Sequence, residues 1–264
     1  MNLQLKNKTA FISGSTAGIG FAIAKILLSE GAKVIINGRD SSRIDEAIAK
    51  LQQDIPDAEM EGVAADFSKV DEVNTLLSQL PTIDILINNI GIYQTESFFE
   101  SKDETWLQQF EVNVMSGMRL SRQLLPKMME QNWGRIIFIS SECASLSPTD
   151  SLAYNMTKAA MLSLSRGLAE MTKGTQVTVN TVVPGSTLSE GAQQFLKDVA
   201  ARENKTPEEV ETDFFNKVRT SSLLQRFASV EEVANTVAFY VSPLAAATNG
   251  AAIKVDGGSM GGIV

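Results

Sequence analysis

Apolar positions along the chain follow two rhythms. Short runs rich in β-branched residues, TAFIS from Thr9, KVIING from Lys33, GVAAD from Gly62, IDILINN from Ile83, RIIFIS from Arg135, QVTVNTVV from Gln176 and AAIKVDG from Ala251, read as strands. Longer stretches with the helical period separate them. The strand runs lack strict polar alternation, as parallel strands do when helices cover both faces of their sheet. The pattern therefore predicts an α/β protein: a doubly wound parallel sheet of about seven strands with helices on both faces, built as one domain over residues 1–264.

Two regions break the rhythm. From Ser101 to Trp133 the helical pattern is long, and Trp106, Phe110, Val114, Met115, Met118, Leu124, Leu125 and Met128 make a stripe wider than one narrow face. Such a stripe suits a second subunit or deep burial within one chain. The second break, at about 186–226, predicts two charged amphipathic helices around ENKTPEEV. An insertion after the carboxyl end of a strand is where a substrate lid lies. Its Phe195, Leu196, Val199, Phe214, Phe215, Val218 and Leu223 suit a hydrophobic carbonyl or alcohol, and they suit ordinary helix packing equally well.

Composition narrows the chemistry. The chain has 44% hydrophobic and 20% charged residues, and its net charge of −8 argues against general affinity for nucleic acid or anionic membranes. No stretch approaches the ~18 to 20 apolar residues that span a bilayer, so no membrane association and a cytoplasmic location are expected. There is no histidine, which removes Ser-His-Asp triads, Cys-His dyads and the usual zinc hydrolase sites together. No metal site is expected, and proton transfer falls to Tyr, Lys, Asp or Glu. The single cysteine, Cys143, cannot form an internal disulfide and reads as a small buried filler.

The segment from Thr9 to Gly38 has the order strand, glycine-rich turn, helix, Gly31 stop, strand, the first βαβ unit of a Rossmann-type dinucleotide fold. Gly14, Gly18 and Gly20 allow a tight turn and the close approach of a pyrophosphate to helix N–H groups, with Ser15 and Ile19 in the same turn. About 20 residues further on, enzymes that prefer NAD place an acid on the adenosine ribose. Here Gly38 is followed by Arg39, whose guanidinium can grip a 2′-phosphate, so NADP(H) is expected over NAD(H).

Tyr154 and Lys158 stand four positions apart in a helical segment, so both leave one face and the ammonium can favour a phenolate. Alone, such a pair is a common coincidence. It does not stand alone: Ser13-Gly14-x-x-x-Gly18-Ile19-Gly20, Asn88-Asn89-Ile90-Gly91, Asn113, Ser141 after IIFIS, Tyr154 at 13 residues beyond Ser141, Lys158 and Pro184-Gly185 follow in order. Over almost the whole chain this set resembles the short-chain dehydrogenase/reductase family, with Ser13 and Ile90 standing where that family usually has Thr and Ala.

The resemblance implies an NAD(P)-dependent oxidoreductase that moves a hydride between nicotinamide and the carbonyl or secondary alcohol of a small substrate. It implies Asn113, Ser141, Tyr154 and Lys158 as the catalytic set, with Tyr154 as general acid and Ser141 as a donor to the developing oxyanion. Lys158 would also bind the nicotinamide ribose, Asn113 would hold a water that links Lys158 to solvent, and Asp66 would meet the adenine. Asn88, Gly91, Pro184 and Gly185 complete the expected coenzyme site, and the family's habit of pairing its long helices across a two-fold axis predicts a homotetramer. A 3-oxoacyl-carrier-protein reductase is the nearest alternative, ranked lower because PKMMEQNWGR offers a poor basic dock to an acidic carrier. A non-catalytic NADP-binding regulator is another, against which the complete catalytic set argues.

Overall fold

The computed structural model describes residues 2–262. The seven strands are β1 (Thr9–Ile12), β2 (Lys33–Gly38), β3 (Met60–Ala64), β4 (Ile85–Asn88), β5 (Gly134–Ile139), β6 (Val177–Pro184) and β7 (Ala252–Val255). They form one parallel sheet in the order β3-β2-β1-β4-β5-β6-β7. Every strand lies within two residues of its expected place.

The five inner strands, β2, β1, β4, β5 and β6, are buried on both faces while the edge strands β3 and β7 are half-exposed, and side chains divide between the faces by the two-residue period of a strand. Ala10, Ile12, Val34 and Ile36 face a core shared with α1 (Gly18–Ser29), α2 (Ser41–Asp54) and α10 (Val230–Val241). Phe11 and Ile35 face the opposite core, shared with α3 (Val70–Gln79), α5 (Ser116–Glu130) and α7 (Leu152–Met171). The strand order reverses at β1, which pairs with β2 on one side and β4 on the other. A reversal of this kind opens a crevice at the carboxyl ends of the two strands.

The long helical stretch is not one α-helix. α4 (Asp103–Phe110) passes through a π-helical turn, Glu111–Met115, into α5. Such turns carry one extra residue and re-aim their side chains, here that of Asn113. Half of the wide stripe packs inside this chain: Val114, Leu124, Leu125 and Met128 are buried, Trp106, Met115 and Met118 are half-buried, and Phe110, like its neighbour Leu107, is exposed.

In the segment at 186–226 lie α8 (Glu190–Glu203) and α9 (Pro207–Lys217). Thr206 caps α9 by accepting from the Glu209 N–H, and Glu209 accepts from the Thr206 N–H in return. Leu196, Ala200, Val210 and Phe215 close a small core with Phe227, and Val199 and Phe214 pack against it. These apolar residues hold the two helices together, so they give no reason to expect a hydrophobic substrate. Phe195, Val218 and Leu223 are exposed.

Candidate active site

Between β1 and α1 the chain turns through Gly14, whose φ of +63° lies in the left-handed region that glycine tolerates. A Cβ at Gly20 would stand 2.6 Å from Asn89 Nδ2 and against the Gly14 carbonyl, so only glycine lets the helix start this close to the turn. The Ser13 hydroxyl ties the two strand ends: it donates to the Ile87 carbonyl (3.2 Å) and accepts from the N–H groups of Asn89 (3.0 Å) and Ile90 (3.2 Å). Asn89 donates its amide to the Ser13 and Gly14 carbonyls at 3.1 and 2.8 Å, and Asn37 Oδ1 accepts from the Gly14 N–H at 3.0 Å.

Two residues expected at the coenzyme lie beneath the turn. Ser15 has no exposed surface; its hydroxyl donates to the Ile12 carbonyl and accepts from the Asn37 N–H, and its own N–H donates to the Asn37 carbonyl. Asn88 is also buried, with its amide on the Ser121 hydroxyl at 3.4 Å. Ser15 thus ties the turn to β2, and Asn88 ties the end of β4 to α5. Gly18 and Ile19 stay at the open start of α1, where a Cβ on Gly18 would lie 3.5 Å from the Glu190 carboxylate.

Arg39 is exposed just beyond β2. Its neighbour Asp40 caps α2, accepting from the Ser42 N–H at 2.8 Å, and hydrogen bonds from Ser42 hold this carboxyl below its usual range. Burial raises the Asp66 carboxyl, but bonds from Ser68 and the charges of Arg39 and Lys69 outweigh that and leave it lowered. At the end of β6 the Pro184 carbonyl accepts from the Glu142 N–H at 2.8 Å, and a Cβ on Gly185 would strike the Asp256 backbone at 2.7 Å.

The four expected catalytic residues converge beside this crevice. Ser141 follows β5, and its hydroxyl accepts at 3.2 Å from the N–H of Cys143, which opens the short helix α6 (Cys143–Leu146). Lys158 is buried on α7 and donates from Nζ to the Ile139 carbonyl at 3.0 Å. A Cβ on Gly91 would lie 3.4 Å from Lys158 Nζ and 3.5 Å from Asn113 Oδ1, which places both groups around one point. Asn113 clamps the loop after β4: Oδ1 accepts from the Ile92 N–H at 2.7 Å, and Nδ2 donates to the Ile92 carbonyl and the Thr157 hydroxyl, each at 3.0 Å.

Electrostatics reverse one expectation. Burial pushes the Tyr154 phenol well above its ordinary value, with the Ser141 hydrogen bond pulling weakly the other way. Lys158 Nζ sits 5.4 Å from the phenol ring centroid, and burial lowers it from 10.5 to about 8. A dry site disfavours both charged forms, so the phenol keeps its proton at neutral pH and the ammonium holds its own only loosely. This is the protonation state a proton donor needs.

The sequence profile of the short chain dehydrogenase family matches residues 8–200. The chain belongs to that family. The uncharacterized oxidoreductase YvaG of Bacillus subtilis (strain 168) is 45% identical over 258 residues, 98% of each chain. The 3-oxoacyl-[acyl-carrier-protein] reductase FabG of Aquifex aeolicus (strain VF5) is 32% identical over 262 residues, 98% of this chain and 99% of its own. L-sorbose reductase from Gluconobacter frateurii, solved complexed with NADPH and L-sorbose, superposes with a TM-score of 0.93 at 31% identity over 100% of both chains. As a short-chain dehydrogenase, the protein is an NAD(P)-dependent oxidoreductase acting between CH–OH and C=O groups.

The walls of this short-chain dehydrogenase site include groups that sequence reasoning missed. The Ser140 hydroxyl, just past β5, donates to the Lys158 carbonyl at 2.9 Å, and the Thr157 hydroxyl accepts from Asn113 Nδ2 at 3.0 Å while donating to the Tyr154 carbonyl at 2.7 Å, so α7 is fixed to the end of β5 and to Asn113. Tyr93 sets its ring edge-on to Tyr154, centroids 4.8 Å apart. Glu142, buried directly after Ser141, accepts from Arg219 Nε at 2.7 Å. Cys143 is buried, and burial raises its thiol, which makes it the inert filler expected. A recess of about 390 Å³ lined by Ser68, Leu107, Gln108, Phe110, Glu111 and Val112 contains none of these groups. Among the described residues no helix is long and apolar enough to cross a membrane.

Proposed function

We propose that the protein is an NADP(H)-dependent carbonyl reductase or alcohol dehydrogenase for a small molecule, with Ser141, Tyr154 and Lys158 as its reacting groups. The observation that carries this reading is the buried phenol of Tyr154 with the Ser141 hydroxyl and Lys158 Nζ beside it, next to a turn where Gly14 and Gly20 leave room for a pyrophosphate. The open start of α1 supplies N–H groups to an anion. A nicotinamide coenzyme held there supplies the hydride.

As that hydride adds to the carbonyl carbon, the C=O π pair moves onto oxygen and the Tyr154 proton follows it. The product is the alcohol, and the phenolate left behind is stabilised by Lys158 on the same helix face. Ser141 donates to the oxygen while charge develops there, a role worth roughly 10² to 10³ in rate. Lys158, with a pKa near 8, is poised to return a proton to the phenol and also to bind ribose hydroxyls. Asn113 holds Ile92 and Thr157 in place, and a proton relay through it would use the remaining lone pair of Oδ1.

NADP(H) is the proposed coenzyme because Asp40 turns into α2 as its cap, so the carboxylate next to Arg39 in the chain is turned away from a ribose, while the Arg39 charge reaches Asp66 at the adenine side. A Cβ on Gly38 would stand 2.7 Å from Thr16 Cγ2, so an acid here requires Thr16 to move. We assign the α8–α9 segment as a substrate lid, since Glu190 meets the glycine turn at one end and Arg219 meets Glu142 at the other. Exposed Leu107 and Phe110 on the α4 stretch, with Met156 and Met171 on α7, support a homotetramer, and the lone cysteine supports a cytoplasmic location. Carrier-protein reduction ranks below a small substrate, because Arg135 is buried on backbone carbonyls and cannot dock a partner. NADPH oxidation monitored across a panel of ketones tests the reading; no turnover with any member overturns it.

A further inference from the structure

Resting on the carbonyl-reductase reading, the geometry points to Arg219 as a specificity-determining residue that binds an oxygen carried by the substrate close to its reacting carbonyl, so that hydroxylated carbonyl compounds are selected over plain ketones. Arg219 lies 77 positions from Glu142 in the chain, just past α9, yet its guanidinium enters the wall beside Ser141. Nε donates to Glu142 Oε1 at 2.7 Å, and Nη2 lies 3.8 Å from Cys143 Sγ, the residue whose N–H donates to the Ser141 hydroxyl. Among the described residues Nη1 donates to no acceptor, and Glu142 Oε2 is a buried oxygen with no donor.

A buried ion pair stabilises a fold no better than a well-packed apolar pair of the same size, so stability alone does not account for charges at this position. Their effect on a substrate is direct. The Arg219 side chain keeps 16% of its surface exposed, and an apolar ketone would strip water from it without replacing the lost hydrogen bonds. A hydroxyl or carboxylate oxygen near the reacting carbonyl would instead accept from Nη1. Glu142 already balances the guanidinium charge, so a neutral hydroxyl gains more than a carboxylate from this contact.

Two isosteric pairs test the assignment with NADPH as reductant: hydroxyacetone against butanone, and acetoacetate against 4-methyl-2-pentanone. The wild type should favour hydroxyacetone over butanone at least tenfold in kcat/KM, with a smaller preference for acetoacetate over its isostere. In Arg219→Met the hydroxyacetone-to-butanone ratio should fall at least tenfold. Arg219→Met leaves Glu142 buried without its partner, so the double variant Glu142→Gln with Arg219→Met, which removes both charges, should show the same collapse if the single variant folds poorly. Glu142→Gln alone should raise the relative rate on acetoacetate. Turnover with a ratio near one in the wild type, or a ratio unchanged in both Arg219 variants, overturns this inference while leaving the reductase reading intact. The absence of NADPH oxidation with all four compounds and a wider ketone panel overturns both.

Discussion

The proposed coenzyme end and the proposed substrate end of the crevice are built from different materials. At the coenzyme end, Ser13, Ser15, Asn37 and Asn89 are neutral groups satisfied by one another and by backbone, so the turn keeps one shape. At the substrate end, Tyr154, Lys158 and the Glu142–Arg219 pair are ionisable groups taken out of water, and Glu142 Oε2 lacks a partner. Shape is stored at one end and electrostatic tension at the other. Neutral hydrogen bonds fix geometry at little cost in stability, whereas buried ionisable groups lower stability and provide reactivity.

Variants at the two ends should therefore behave differently. The largest effect is expected from Tyr154→Phe, which removes the proton donor and keeps the ring packing: turnover should drop by about 10² or more while NADPH affinity stays nearly unchanged, read by kcat and by fluorescence titration. Retained activity would mean that another group supplies the proton.

Lys158→Met should abolish most turnover and weaken coenzyme affinity, yet stabilise the coenzyme-free fold. The drop of the Lys158 pKa from 10.5 to about 8 corresponds to a burial cost of roughly 3 kcal/mol. The unfolded chain binds more protons than the folded one between these values, so wild-type stability rises with pH across that window. The cost is complete below pH 8 and disappears above 10.5. The advantage of Lys158→Met in urea denaturation should thus be largest at pH 7 and shrink towards pH 10; an advantage that does not change with pH would assign it to packing.

At the coenzyme end, Arg39→Ala should lower the kcat/KM preference for NADPH over NADH by about 10-fold, the scale of one charge-assisted contact to a phosphate, with no change in melting temperature. An NADH preference in the wild type would place the guanidinium away from the coenzyme. The smallest effect belongs to Ser13→Ala, which leaves the N–H groups of Asn89 and Ile90 without their acceptor and should destabilise by about 1 to 3 kcal/mol, while turnover per folded molecule changes little. A large loss of turnover there would show that the turn's shape limits the chemistry directly.

Local pattern was enough for the five inner strands, because a parallel strand covered on both faces must be an unbroken apolar run, whereas the half-exposed edge strands β3 and β7 were marked by their place in the alternation of strands and helices. It was enough too for the glycine turn, since a backbone at φ +63° and a helix start that excludes a Cβ leave glycine no substitute. Ser141 was legible just past a strand end and Lys158 at helical spacing from Tyr154, whereas Asn113, which lies in a π-helical turn far from any strand end, was reached only through the family resemblance. Tertiary structure alone decided what depends on distance between remote segments. Burial, which no neighbour in sequence reports, raised the Tyr154 phenol where an ammonium four residues away was expected to lower it. Packing of α8 on α9 absorbed Leu196, Val199, Phe214 and Phe215 of the apolar residues that sequence offered to a substrate, and left Phe195, Val218 and Leu223 exposed. Only the fold brings Arg219 to Glu142, because a charge enters a wall from 77 positions away when the chain between them runs through one strand and four helices before returning.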